Sequence, residues 1–429
     1  MLFENIAYVD ENFCVKTGFV GVSGGYIGYV GADKPSAGYG ERVDGRARIL
    51  IPGLVNAHCH VPMTLLRGYG EGLPLDRWLN ERVFPFEAEL TGEDVYLGSL
   101  VGIAELLASG CTSFSDMYDH CEEIAEAVKI SGIRANLSRA VLGFGDVPLS
   151  ENARHAEAEA LIKKWHGASG DRIRVDYAIH AEYTSNERTV REAADFAGSA
   201  NVGVQVHLSE TKSEHDGCVG RRGRTPARYF ADCGLFDVRA TAAHAVWVTD
   251  GDMDILREYG VTVSHNPTSN LKLASGIARV PEMRRRGVKL ALGTDGASSN
   301  NNLNMLEELH IASILHRGTS LDPEFLPPGE ALEIATRSGA LSQGREDCGL
   351  IKEGYRADLA VVSLAKPHML PVHGLISDIV YSAQSSDVEM TVVGGETVYR
   401  DGKCLLFNQD EAIENAAVSA RRIAEKLRQ

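Results

Sequence analysis

The chain has 429 residues, of which 44% are apolar and 24% are charged, values that are ordinary for a globular enzyme. Its 59 acidic and 43 basic residues give a net charge of −16, which argues against a nucleic-acid-binding surface because such surfaces are basic. No segment has the ~18 uninterrupted apolar residues of a membrane span, and the first residues lack the basic start of a signal peptide. This length predicts two or three domains, although one α/β barrel can reach ~250 residues or more.

Residues 1–52 are predicted to form short strands joined by tight turns. Two apolar runs, at 19–23 and 26–30, flank Gly24 and Gly25 in the manner of a β-hairpin. Because no helix follows these glycines, they do not indicate a phosphate-binding loop.

From about residue 50 the pattern changes to short apolar runs that alternate with amphipathic segments. The segments at 95–109, 156–165, 187–197 and 253–259 have helical spacing. Eight apolar runs end at or near His58, Asp116, Arg139, His180, His207, His244, His265 and Asp295. This eightfold alternation predicts a parallel sheet, most simply a (β/α)8 TIM barrel, whose active site lies at the carboxyl ends of the strands.

Strand signals return after about residue 350. The runs at 355–362, 388–393 and 397–399 read as strands, and 411–427 has the spacing of a final helix. We therefore expect residues 1–52 and 353–429 to form one composite β-sandwich with a C-terminal helix. Residues 53–352 are expected to form the barrel.

The strand ends predict a metal site. His58 and His60 are two residues apart on one strand, so both imidazoles point to the same side. Together with His207 and Asp295 they form a predicted ligand set for one divalent metal ion. Imidazole and carboxylate suit Zn²⁺, and also Fe²⁺ or Mn²⁺. Such a site leaves a position for water, whose pKa a zinc ion lowers from ~16 to about 7.

Three residues near these ligands are candidate catalytic groups. Glu210 follows His207 by three residues and is expected to shuttle protons between the water and a substrate ring nitrogen. His244 is either a further ligand or the group that orients the attacking hydroxide. Asp295 is expected to act both as ligand and as base.

The eight cysteines include no Cys-x-x-Cys pair, and a chain of this length needs no disulfides. Reduced thiols in the cytoplasm are therefore expected. Cys59, between the two histidines, should point to the opposite side of its strand and pack there. The sequence also lacks the Pro-Cys-x-x-Cys of compact zinc deaminases and the His-Glu-x-x-His of zincins.

The order of these residues resembles the amidohydrolase superfamily over nearly the whole chain. Its signature is His-x-His after the first strand, His after the fifth and sixth, and Asp after the eighth. Members with two metals usually bridge them with a modified lysine at the end of the fourth strand, where this chain has His180. The resemblance therefore implies one metal ion, as in the deaminase branch. Segments 58–68, 73–79, 265–276 and 293–301 are similar to deaminases of 5′-methylthioadenosine and S-adenosylhomocysteine.

The resemblance also implies a set of substrate-binding residues. Glu87 would hold the ribose hydroxyls, and Trp78 would pack on the purine or the thioether. Arg139 and His180 match positions that contact the nucleoside, and Arg154 matches a further substrate arginine.

The implied function is metal-dependent hydrolytic deamination of a 6-aminopurine nucleoside: S-adenosylhomocysteine, 5′-methylthioadenosine or adenosine. An alternative keeps the chemistry but acts on another aminoheterocycle, such as a guanine-like compound, a pterin or an s-triazine. A catalytically silent barrel that binds a partner is a third hypothesis, disfavoured by the complete ligand set. Barrels of this branch often assemble as dimers or tetramers, so a homo-oligomer is expected.

Overall fold

The computed structural model describes residues 1–428. Its strands, in chain order, are β1 (Leu2–Val9), β2 (Val15–Ser23), β3 (Tyr26–Gly31), β4 (Arg42–Asp44), β5 (Arg48–Pro52), β6 (Leu54–Cys59), β7 (Cys111–Tyr118), β8 (Arg134–Val141), β9 (Ile173–Val175), β10 (Tyr177–Ile179), β11 (Val204–Leu208), β12 (Ala240–His244), β13 (Thr262–His265), β14 (Lys289–Leu292), β15 (Leu359–Ser363), β16 (Val388–Val393), β17 (Glu396–Arg400) and β18 (Lys403–Cys404).

The α-helices are α1 (Leu75–Trp78), α2 (Phe84–Glu87), α3 (Gly92–Ala108), α4 (Cys121–Ser131), α5 (Ala153–Trp165), α6 (Ala168–Asp171), α7 (Glu187–Ala200), α8 (Lys212–Arg222), α9 (Pro226–Asp232), α10 (Asp250–Glu258), α11 (Pro267–Lys272), α12 (Val280–Arg285), α13 (Met305–Ser320), α14 (Pro328–Glu333), α15 (Gly339–Ser342), α16 (Leu375–Tyr381) and α17 (Gln409–Lys426). In the part of the chain that the structure describes, no helix is both long and apolar enough to cross a bilayer.

Strands β6 to β14 form a parallel barrel. The neighbours follow chain order from β6 to β14, and β9 and β10 together make the fourth strand, because both pair with β8. The ring closes where the backbone N–H of Asp295, just after β14, donates to the carbonyl oxygen of His58 in β6 (3.0 Å). The predicted (β/α)8 barrel is thus confirmed, with its strand ends at the predicted positions.

A second sheet contains both ends of the chain. Its strands lie in the order β18-β17-β16-β15-β5-β1-β2-β3, with β4 beside β1, and antiparallel pairing of β5 with β15 joins the two ends. Phe3, Leu50 and Val361 belong to a core that is separate from that of the barrel. The two chain ends therefore build one β domain, as expected. We propose residues 52 and 353 as its limits, since Gly53 alone separates β5 from β6.

Side-chain caps determine where several helices begin. Thr91, Asn152 and Thr249 each accept a hydrogen bond from an N–H group in the first turn of α3, α5 and α10. These helices start at 92, 153 and 250, three residues before the apolar spacing at 95, 156 and 253 first indicates them. The difference arises because a capped first turn is polar and adds nothing to the apolar periodicity.

A buried ion pair connects the barrel to the second sheet. Arg134, at the start of β8, donates from Nε and Nη2 to the Asp358 carboxylate next to β15 (2.7 and 3.0 Å). The N–H of Gly394 donates to the same carboxylate (2.7 Å). Burial acts to raise the pKa of Asp358, but the charge and hydrogen bonds of Arg134 outweigh it and hold that pKa low.

We expect Asp358→Ala to lower the free energy of unfolding by about 3–5 kcal/mol, because it leaves the guanidinium of Arg134 buried without a counter-charge. Urea unfolding followed by circular dichroism measures this change. The double variant Arg134→Met/Asp358→Leu is the control and should recover much of the loss. An unchanged unfolding midpoint in the single variant would contradict the assigned role of the pair.

Candidate active site

The predicted metal ligands meet at the carboxyl ends of the barrel strands. Nε2 of His60 lies 3.3 Å from Oδ1 of Asp295 and 3.4 Å from Nε2 of His207. Nε2 of His58 lies 3.6 Å from the same carboxylate oxygen. Two ligands bound tetrahedrally at about 2.0–2.1 Å are roughly 3.4 Å apart, so these separations match one shared ion.

The hydrogen bonds of the imidazoles also fit a metal ion. Nδ1 of His60 contacts the carbonyl oxygen of Met117 (2.5 Å), and Nδ1 of His207 contacts that of His180 (2.8 Å). Because a carbonyl can only accept, both Nδ1 atoms carry a proton, which leaves the Nε2 atoms of both rings to face the site. Nε2 of His58 is buried with no hydrogen-bond partner among residues 1–428. A cation between these atoms would satisfy all three.

The protonation of the site favours metal binding. Burial lowers the pKa of His58 to about 4 and that of His207 well below its usual value, so both rings are neutral at pH 7. Burial acts in the same direction on His60, but the hydrogen bond and charge of Asp295 outweigh it and raise the pKa of His60 to about 9. A metal ion would therefore displace the proton that His60 shares with Asp295.

Two serines that the sequence analysis missed hold the carboxylate of Asp295. Oγ of Ser269 and Oγ of Ser299 both donate to Oδ2 (2.6 and 2.9 Å), while the N–H of Gly296 donates to Oδ1 (2.8 Å). Both serines lie in segments used for the family resemblance, but their spacing in the sequence does not predict a role at a metal site. The contact of Ser269 with Asp295 joins the segments that follow β13 and β14, whereas Ser299 reaches Asp295 from within the loop after β14.

The backbone is strained at two of the functional positions. His244 and Asp295 have φ angles of +71° and +62°, in the left-handed region that residues with a Cβ rarely adopt. Such conformations cost on the order of 1–3 kcal/mol and occur preferentially at functional sites. Here they turn both side chains toward the barrel axis at the strand ends.

The position of His244 fits both roles that the sequence suggests, a further metal ligand and the group that orients the attacking hydroxide. Its nearer ring nitrogen lies with those of His58 and His207 in a group whose members are all within 4.8 Å of one another. Its Nδ1 contacts the side-chain oxygen of Asn270 (2.9 Å), which directs Nε2 into the site. Nε2 lies 3.8 Å from the Glu210 carboxylate.

Glu210 is held by a second buried acid that sequence reasoning missed. The carboxylate of Glu214 accepts hydrogen bonds from the backbone N–H groups of Ser209 (3.0 Å) and Glu210 (2.8 Å). Burial raises the pKa of Glu210, so this side chain is suited to carry a proton. Glu214 is the third residue of α8, a position where acids commonly reach back to the preceding turn, and this is a sequence signal.

A cavity of about 470 Å³ opens above the ligands. Trp78, Glu87, Arg154 and His180 all line it, as expected from the resemblance. Burial, with a smaller contribution from the nearby Asp119, raises the pKa of Glu87 to about 7. Burial lowers the pKa of His180 to about 4, so this ring is neutral.

Arg139 differs from the other expected substrate residues. Within the described part of the chain it is absent from the cavity lining. Its Nε donates to Glu157 (2.5 Å) and its Nη1 to Asp119, which does line the cavity. The arrangement therefore presents Asp119, rather than the Arg139 guanidinium, to a substrate. Cys59 is buried with its thiol on the Ser115 carbonyl oxygen (3.3 Å), in agreement with a packing role.

Residues 49–398 match the model of the Amidohydrolase family. The chain belongs to this family. A 5-methylthioadenosine/S-adenosylhomocysteine deaminase of Syntrophomonas wolfei subsp. wolfei is 40% identical over 432 residues, 99% of this chain and 100% of that protein. A 5′-deoxyadenosine deaminase of Methanosarcina mazei is 39% identical over 413 residues, 96% of this chain and 95% of that protein.

Among solved structures, an adenosine deaminase from Xanthomonas campestris with bound zinc superimposes with a TM-score of 0.92. It is 31% identical and the alignment covers 99% of this chain and 98% of that one. The amidohydrolase described here is a metal-dependent enzyme with a site for a divalent cation.

The double variant Ser269→Ala/Ser299→Ala should bind its metal about 10–100-fold more weakly, because residues that orient a ligand typically contribute this much. Metal retained after dialysis against a graded chelator series measures the change. Ser298→Ala is the matched control, since this hydroxyl lies in the same loop but contacts the sulfur of Met63. Equal metal retention in the double variant and the control would show that Asp295 does not need the serines.

Proposed function

We propose that this amidohydrolase deaminates a 6-aminopurine nucleoside by hydrolysis, giving the inosine analogue and ammonia. The observation that carries the proposal is one cavity lined by Glu210, by Glu87 and by three of the proposed ligands, His60, His207 and Asp295. The relatives named above act, by their names, on nucleosides of this class. S-adenosylhomocysteine, 5′-methylthioadenosine, 5′-deoxyadenosine and adenosine are the proposed substrates.

We propose zinc as the metal, held by His58, His60, His207 and Asp295. Imidazole nitrogens and carboxylate oxygens are both ligands of catalytic zinc, and one solved relative contains zinc. When bound, the ion supplies activation of water at neutral pH and stabilises negative charge in the transition state. We propose one ion, because the fourth strand ends in His180 and not in a lysine.

The side chains around the ligands would move the protons. Glu210, whose pKa is raised by burial, delivers a proton to the ring nitrogen next to the carbon that bears the amine. Asp295 accepts the proton of the attacking water and passes it to the departing ammonia. His244 orients the attacking oxygen, since its Nδ1 is fixed by Asn270. Water adds to the carbon, the carbon–nitrogen bond breaks, and the second proton of the water returns to Glu210 as the product carbonyl forms, so that atoms and protons balance.

The outer part of the cavity would bind the nucleoside. We propose that Glu87 accepts hydrogen bonds from the ribose hydroxyls and that Trp78 packs against the purine or the 5′ thioether. The neutral His180 faces the same cavity and is held by Thr184 (3.1 Å from Nδ1 to Oγ1). Arg154 lies at the outer wall, where a 5′ substituent would end.

Zinc-loaded protein should release ammonia from the proposed nucleosides, with the absorbance shift of purine deamination. Glu210→Gln should lower kcat by about 10²–10⁴-fold, the usual contribution of a positioned acid, while the zinc content stays at one ion per chain. Ammonia release and elemental analysis measure both quantities. Near-normal turnover in Glu210→Gln would refute the proton shuttle. If the wild-type protein binds zinc but leaves all the nucleosides intact, other aminoheterocycles become the substrates to test.

The pKa of Glu87 predicts a pH dependence. Because that pKa is raised from 4.5 to about 7, the carboxyl is protonated below about pH 7 and has fewer oxygens free to accept from ribose. We expect kcat/KM for nucleosides to rise with pH and to level above about pH 7. Glu87→Gln should lower kcat/KM and remove this rise. An analogue without the 2′ and 3′ hydroxyls is the control, and an equal rise with this analogue would contradict the assignment.

A further inference from the structure

Asp119 places a carboxylate in the cavity wall that the proposed reaction does not use. Its side chain is 46% exposed and lines the cavity. Oδ1 accepts hydrogen bonds from Nη1 of Arg139 and from Nη1 of Arg154 (3.2 Å). Within residues 1–428, Oδ2 has no hydrogen-bond partner. One oxygen is therefore anchored while the other is free to accept from a ligand.

The surrounding charged groups hold this carboxylate in place and leave one of its oxygens free to accept a hydrogen bond. Arg139 is 8% exposed and lies between Asp119 and Glu157, which takes its Nε. Arg154 is one-third exposed and is further held by the carbonyl oxygen of Ala140 (3.3 Å). The formal charges of the two arginines and the two acids sum to zero. The wall thus presents a neutral pair, with an acceptor on Asp119 next to the donors of Arg154.

The pair lies beside the residue that is proposed to hold the ribose. The charge of Asp119 raises the pKa of Glu87, and that of Arg154 lowers it, so both groups are close enough to act on Glu87 electrostatically. The metal ligands His60, His207 and Asp295 line the inner part of the same cavity. With the purine at the ligands and the ribose at Glu87, the 5′ substituent would meet Asp119 and Arg154.

We propose that Asp119 is a specificity-determining residue that accepts an ammonium group on the 5′ substituent, next to Arg154, the substrate arginine that the family resemblance already implies. This inference rests on the proposed nucleoside deaminase function. The subsite is complementary to the zwitterion of an α-amino acid, because Asp119 would face its ammonium group and Arg154 its carboxylate. A tail with a carboxylate alone would meet the negative charge of Asp119, and an uncharged tail would gain nothing from the pair.

Four substrates that differ only in the 5′ tail test the proposal. They are S-adenosylhomocysteine, 5′-S-(3-aminopropyl)-5′-thioadenosine, 5′-S-(3-carboxypropyl)-5′-thioadenosine and 5′-methylthioadenosine, which carry both charges, ammonium only, carboxylate only and neither. For each protein, kcat/KM is divided by the value for 5′-methylthioadenosine. A loss of folded or metal-loaded protein therefore cancels in the ratio.

In the wild-type protein, the two tails with an ammonium should have higher ratios than the carboxypropyl tail. Asp119→Asn should lower those two ratios by roughly tenfold, the order expected for one partly exposed charged hydrogen bond, and Asp119→Glu should restore part of the loss. Glu157→Gln is the matched control. It removes one negative charge from the same Arg139, but outside the cavity lining, so its ratios should equal those of the wild type.

Two results would overturn the proposal while the deaminase function stands. Unchanged ratios in Asp119→Asn would show that the carboxylate does not contact the tail. A higher ratio for S-adenosylhomocysteine in Asp119→Asn would show that Asp119 excludes anionic tails by occupying the arginines. Failure of the wild-type protein to deaminate any of the four, 5′-methylthioadenosine included, would overturn the proposed function instead.

Discussion

Asp295 is the residue on which both the closed barrel and the metal site depend. Its backbone N–H donates to the carbonyl oxygen of His58, which joins the last strand of the ring to the first. Its carboxylate faces His58 and His60 and is fixed by two serines and a backbone N–H. Asp295 has a left-handed φ three residues after the end of β14, and its side chain lines the cavity. Closure of the barrel and the approach of the predicted ligands therefore depend on the same residue.

The barrel also sets the orientation of the histidines. His60 follows β6 and is held by a carbonyl oxygen of β7, while His207 in β11 is held by the carbonyl oxygen of His180, just after β10. In each case a neighbouring strand accepts the proton of Nδ1 and so directs Nε2 toward the predicted metal site. The order of the strands around the ring thus decides the chemistry of the ligands. An isolated His-x-His pair would have neither the fixed tautomer nor the third and fourth ligands.

Burial gives neighbouring groups of the cavity different protonation states. The same low-polarity surroundings keep His58 and His180 neutral, raise the pKa of Glu87 to about 7 and raise that of Glu210. At the outer wall the exposed Asp119 instead lies against two arginines. The cavity therefore changes from a buried site suited to proton transfer to a polar mouth suited to recognition of charged substituents.

The sequence by itself determined the barrel and the composite sheet, and it predicted which four metal-capable residues meet at the strand ends. Each of these follows from a local pattern: apolar runs of strand length, and a metal-capable residue where each run ends, because all parallel strands end at one rim. Tertiary structure alone decided that Ser269 and Ser299 hold Asp295, that Arg139 lies behind Asp119, and that Glu157 completes this group. The pair of Arg139 with Glu157 is 18 residues apart and that of Ser269 with Asp295 is 26 apart, whereas Ser299 follows Asp295 by four residues in an irregular loop. No spacing rule encodes them, because the approach of such side chains depends on how the loops pack once the ring has closed.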